Sequence, residues 1–234
     1  EHGASTERCP KSGFTPLIYA VRFGLTEIVE LLLVAGTQID RTRNGKTPVM
    51  HAMSEGHTEI VTRLIFAKAN LDFRDKVQRQ NLLMIAADQG NKRVVKAITR
   101  QDVLLDKQDI EGSTALIYAA TQGHGATVRE LLRAQADVSI ANNDGMTALM
   151  IAVCGGHAET VAALMQAGAD VRQLHPDGRN NLHVAAALGS ETIVQLLLNA
   201  GMTSDSVDND GRSALMMAAV EGHEAVTLAL LKAG

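Results

Sequence analysis

The stretch "TALMIAV" at residues 147–153 is a cap residue followed by an apolar run, and it decides the fold because the chain repeats it. "TALIYAA" stands at 114–120 and "SALMMAA" at 213–219. Elsewhere in the chain, "TPLIYAV" begins at 15, "TPVMHAM" at 47, "NLLMIAA" at 81 and "NNLHVAA" at 180. Each of the seven copies is followed by a glycine, at Gly24, Gly56, Gly90, Gly123, Gly156, Gly189 and Gly222, with spacings of 32, 34, 33, 33, 33 and 33. Such a period marks a repeat architecture, in which one unit cannot bury its apolar face alone.

The letters of one unit follow from helix chemistry. Thr15, Thr47, Asn81, Thr114, Thr147, Asn180 and Ser213 open the septets. Each can accept a hydrogen bond from an unpaired N–H of a first helical turn, so all seven are expected to be N-caps. Pro16 and Pro48 follow two of them, where a first-turn proline sacrifices no bond. The small Ala20, Ala52, Ala86 and Ala119 let a neighbouring helix approach closely. The glycine ends this short helix in a left-handed turn. A second amphipathic helix follows, as in "TEIVELLLVAG" (26–36) and "AETVAALMQAG" (158–168). It is expected to stop at a second cap, at Gly36, Lys68, Asp102, Gln135, Gly168, Gly201 and Gly234. Polar segments such as "VDNDGRS" then project, with tight turns signalled at Asn44, Asp144, Asp177 and Asp210.

This unit, with "G-x-T-P-L" and "G-H-x-E-I-V", resembles the ankyrin repeat over residues 13–234. The resemblance implies an all-α solenoid of about seven helix-turn-helix units with projecting β-hairpin fingers. Its repeats start near 13, 45, 79, 112, 145, 178 and 211, after an N-terminal remnant at 1–12. The histidine that the family carries after the leucine survives only as His183; Ile18, Met50, Met84, Ile117, Met150 and Met216 replace it.

Composition excludes several classes. Apolar runs stop near eight residues, which excludes a transmembrane helix. A net charge of −4 argues against a nucleic-acid binder, but the charge is uneven. Residues 1–112 carry 16 basic and 14 acidic side chains, and residues 113–234 carry 6 and 12, so the halves are +2 and −6. Cys9 and Cys154 match no metal spacing and point to a reducing, cytoplasmic compartment, with a secreted-effector setting left open.

Motifs that suggest catalysis do not hold up. "NGKT" (44–47) copies the end of a phosphate-binding loop, yet Asp40 stands where its first glycine belongs. "HTE" (57–59) and "HAE" (157–159) lack the second pair of zinc ligands. His57, His124, His157 and His223 follow the helix-ending glycine in register, which favours a structural turn role. No Ser/His/Asp or Cys/His set is expected to converge. No catalysis, metal or cofactor is expected. The nine methionines, Met150, Met216 and Met217 among them, are read as core filling.

Function is sought where the copies disagree. The resemblance implies a protein or peptide partner on the concave surface of fingers and first helices. Five of the six aromatics fall early, Phe14, Tyr19, Phe23, Phe66 and Phe73, with Tyr118 the exception. Fingers two and three are basic, through Arg41, Arg43, Lys46, Arg74, Lys76 and Arg79, with Asp40, Asp72 and Asp75 partly neutralising them. Aromatic and arginine side chains dominate binding hot spots. The candidate partner-binding residues are therefore Phe14, Tyr19, Arg22, Phe23, Arg43, Lys46, His51, Glu55, Arg74, Lys76, Arg79, Gln80 and Tyr118, facing a partner that is acidic at these fingers. The last helix, "AVTLALLKAG", is as apolar as an internal one, so the segment is expected to belong to a longer chain or complex. The reading is a non-catalytic interaction scaffold. Its alternative is the regulatory or substrate-recruiting arm of a larger enzyme or secreted bacterial effector.

Overall fold

The structure is a computed structural model that describes residue 6, residues 14–74 and residues 77–233. It contains seven pairs of short helices among the described residues: α1 (Pro16–Arg22) with α2 (Thr26–Val34), α3 (Pro48–Ser54) with α4 (Thr58–Phe66), and α5 (Leu82–Asp88) with α6 (Lys92–Ile98). The later pairs are α7 (Ala115–Thr121) with α8 (Gly125–Arg133), α9 (Ala148–Cys154) with α10 (Ala158–Gln166), α11 (Asn181–Ala187) with α12 (Glu191–Asn199), and α13 (Ala214–Val220) with α14 (Glu224–Ala233). The chain divides into two compact units, 1–86 with 91–105, and 87–90 with 106–234. In the first, α1 packs on α3, and α2 and α6 pack on α4. In the second, α7, α9, α11 and α13 stack in order, and α8, α10, α12 and α14 do the same.

The alanine of every septet lies at this packing surface. Ala20, Ala52, Ala86, Ala119, Ala152, Ala185 and Ala218 are all buried. Leu17, Leu116, Leu149 and Leu182 fill the space beside them. Met50, Met84, Met150 and Met217 are buried as core filling requires, but Met216, in the last repeat, is 55% exposed.

Six of the seven expected N-caps bond. The side chains of Thr15, Asn81, Thr114, Thr147, Asn180 and Ser213 each accept the N–H three residues on, at 2.9 to 3.4 Å. Thr47 is the exception: its hydroxyl is buried and unbonded. Its backbone (φ −78°, ψ 164°) matches that of Thr147 (φ −81°, ψ 166°), so the departure lies in the side chain. The second caps hold at Gly36, Lys68, Gln135, Gly168 and Gly201, all left-handed. Gly234 lies outside the described residues, and Asp102 is a correction. Helix α6 ends at Ile98, two residues shorter than α4, so the break precedes position 102, which is not left-handed.

The Gly-His pairs have a specific structural use. His57 Nε2 donates to the Arg22 carbonyl (3.2 Å), His124 to Asp88 (3.0 Å), His157 to Thr121 (3.0 Å) and His223 to Ala187 (2.9 Å). Each imidazole therefore ties its own repeat to the end of the preceding first helix. The ring occupies the space beside the glycine of the preceding repeat, so a β-carbon at Gly123 would stand 2.5 Å from His157 Nδ1. Where the histidine is replaced by Asn91 or Ser190, the preceding Gly56 or Gly156 faces open space.

The fingers are turns closed by single bridges, Arg43 to Lys46, Ala141 to Thr147 and Val207 to Ser213, without longer ladders among the described residues. In the second unit each finger begins at a residue in register: Asp109, Asn142, His175 and Asp208. Asp109, Asn142 and Asp208 each accept two backbone N–H groups on one side-chain oxygen, closing the turn from inside. Asn143 Nδ2 then donates to the Ile110 carbonyl (2.9 Å) and Asn209 Nδ2 to Asp177 (3.2 Å), joining finger to finger.

Candidate partner-binding surface

The first unit gathers part of the sequence-predicted set around one aromatic ring. "NGKT" forms a two-residue turn, with Asn44 and Gly45 at φ 52° and 74° and Arg43 and Lys46 exchanging both backbone bonds at 2.9 and 3.0 Å. Both positive φ values match the twist that such a turn needs, so the loop is a finger and not a phosphate cradle. Lys46 Nζ donates to Ser54 Oγ at 3.1 Å, which holds the finger against the end of α3.

This turn aims Arg43 at Phe14. The Arg43 guanidinium lies 5.2 Å from the Phe14 ring centre, and the Arg22 guanidinium lies at the same 5.2 Å. Both are within cation–π range. Tyr19, one turn into α1, stacks obliquely on the same ring at 5.2 Å, and His51 approaches it at 6.4 Å. Arg22 also meets Glu55 at 3.6 Å, with both side chains more than 40% exposed. An ion pair so open to water contributes little and is readily exchanged for another carboxylate. His51 is held below its ordinary range, chiefly by burial and then by the charges of Lys46 and Arg22; the Arg43 backbone and Glu55 pull the other way. His51 Nε2 and Arg43 Nε are both buried without a hydrogen-bond partner.

The structure thus brings Phe14, Tyr19, Arg22, Arg43, Lys46, His51 and Glu55 together. Phe23 caps α1 nearby and is 72% exposed. Arg74, Arg79 and Gln80 stand on the next finger, with Arg79 left-handed (φ 59°) in the place that glycine takes in other copies. Lys76 and Asp75 lie outside the described residues. Tyr118 belongs to the second unit, where its hydroxyl donates to Asp109 at 2.6 Å and so braces a finger.

One expectation is corrected. Cys154, His175 and Asn181 do converge, with Cys154 Sγ 4.0 Å from His175 Nδ1 and His175 Nε2 3.0 Å from Asn181 Oδ1. The signal was legible in phase: the head of this finger is histidine where the other three in the unit have Asp or Asn.

The comparisons agree with this geometry. A family model for ankyrin repeats, in three copies, matches residues 1–75, 83–175 and 170–234. The chain belongs to the ankyrin-repeat family. Among solved structures it is similar to the ankyrin repeat domain of Bcl-3, described as a unique member of the IkappaB protein family. The TM-score is 0.79 at 25% identity, over 94% of this chain and 99% of that one. A search of the curated proteins gives no match. Ankyrin repeats are in general non-catalytic protein-interaction modules. No helix among the described residues is long and apolar enough to cross a membrane.

Proposed function

We propose that the chain is an intracellular interaction scaffold that holds an acidic segment of a partner protein against Phe14. The observation that carries this reading is the pair of guanidinium groups on one aromatic ring, each at 5.2 Å. Arg22 and Arg43 are pre-positioned by the ring, which lowers the entropy lost when a carboxylate binds. The loose bond between Arg22 and Glu55 gives the partner's carboxylate a place to compete. Phe23 supplies an exposed apolar anchor beside it, and Arg79 and Arg74 extend the positive charge along the third finger.

The triple variant Phe23→Ala, Arg43→Glu, Arg79→Glu tests the reading. Partners captured from lysate by the wild-type chain are identified by mass spectrometry and then titrated against the variant. Their affinity is expected to fall at least about 100-fold, as for loss of hot-spot side chains, while the thermal melt stays unchanged. Full retention of every partner by a folded variant removes this surface as the binding site.

A further inference from the structure

The second unit holds a hydrogen-bonded chain whose direction is fixed from one end. Asn181 is fully buried, and its Nδ2 donates to the Val171 carbonyl at 2.9 Å. Its Oδ1 is therefore turned to His175 Nε2, 3.0 Å away, and an amide oxygen can only accept. That places the His175 proton on Nε2 and leaves the Nδ1 lone pair facing Cys154 Sγ at 4.0 Å. The imidazole is buried, whereas Cys154, the last residue of α9, is exposed to solvent. A nucleophile within reach of a base, itself oriented by a third group, is the arrangement of an activated nucleophile, and such bonds are commonly long before a reactant is bound.

The neighbouring charges do not replace this base. Asp177 and Arg179 face both groups, but they pair with each other at 2.7 Å, and Asp208 acts on Arg179 from the next finger. Burial pushes the Cys154 thiol above its ordinary value of 9.0 and the His175 imidazole below 6.5, so both are neutral at rest. A free thiolate is then scarce at pH 7, and reaction there depends on proton removal during the attack.

We propose that Cys154 is a base-assisted thiol that adds to α,β-unsaturated carbonyl compounds, with His175 taking its proton and Asn181 positioning His175. In the step, the S–H bond breaks as the bond from sulfur to the β-carbon forms. The proton passes to His175 Nδ1 and the C=C electron pair moves to the α-carbon, which then takes up a proton. The net change is addition of the thiol across the double bond, with no oxidant and no leaving group. The adduct would stand beside finger 175–179.

The experiment follows addition of N-ethylmaleimide to the full chain by mass spectrometry between pH 5 and 10, in a Cys9→Ser background. The wild-type rate is expected to rise through a pKa below 6.5, hold a plateau through neutrality, and rise again above pH 9. His175→Asn should keep the fold, because Asn142 occupies the same finger position. It should lose the plateau, with a rate at pH 7 lower by about tenfold or more, and added imidazole should restore part of it. Asn181→Asp puts a carboxylate on His175 Nε2 and should move the first rise to higher pH. Identical profiles for wild type and a folded His175→Asn variant, both rising only above pH 9, would overturn the proposal.

Discussion

The fingers of the two units use their polar groups in opposite ways. In the second unit Asp109, Asn142 and Asp208 turn inward to hold their own loops, and Asn143 and Asn209 bond to the finger before them. Polar side chains there are consumed by structure. In the first unit the turn at 43–46 closes through the two Arg43–Lys46 backbone bonds, Lys46 Nζ reaches out to Ser54, and Arg43 lies on Phe14. Regular spacing and internal bonding go together in the second unit, where Arg179 and Arg212 pair with carboxylates of their own fingers. In the first unit Arg43 and Arg22 lie instead on an aromatic ring.

The largest test of this contrast is at the helix-ending glycines. Gly123→Ala meets both a left-handed backbone and the His157 ring, and should destabilise the chain by about 3 kcal/mol or more. Gly56→Ala meets strain alone, because Asn91 leaves the space open, and should cost about 1 kcal/mol. Equal losses in urea unfolding would show that the histidine ties do not organise the repeats. Next in size are the caps. Thr147→Ala removes a formed bond and should cost about 1 kcal/mol, whereas Thr47→Ala removes a buried hydroxyl that bonds nothing and should be near neutral.

Substitution at the left-handed side chains should stabilise. Gln135→Gly relieves a φ of 71° and is expected to add somewhat under 1 kcal/mol. Lys68→Gly should add less, since it also loses the bond from Lys68 Nζ to Gln101 at 3.3 Å. The smallest effect is in the pH dependence. His175 binds its proton less readily folded than unfolded, so the unfolded chain holds more protons as pH falls below 6.5 and stability declines. His175→Asn should flatten that decline in acid-titrated melts, leaving the share of His51, whose burial acts in the same sense.

The repeat was legible because its signals are local. Cap, alanine and glycine recur in one register, and even the left-handed Lys68 and Gln135 follow from phase. What phase does not carry is the state of individual side chains. Thr47 has the right residue and backbone for a cap yet does not bond, and α6 stops before Asp102 despite the period. The Phe14 cluster was found by residue type, since aromatics and arginines in the first fingers depart from the scaffold. Its geometry was not legible, because cation–π contact between Phe14 and Arg43 depends on how a finger folds back over 29 residues. The bond from the Tyr118 hydroxyl to Asp109 was not legible for the same reason, as Asp109 lies on the finger ahead of its helix. The Cys154–His175–Asn181 chain joins residues up to 27 apart and shows in sequence only as one odd finger head.

The histidine over each glycine has a consequence for how the chain can vary. A residue in one repeat decides what its predecessor tolerates, at pairs such as Gly24 with His57 and Gly189 with His223. Replacing His157 by serine, as at Ser190, should make Gly123→Ala far milder than it is alone. Substitutions at such paired positions are conditional on one another, so the order in which they arise decides which of them the fold survives.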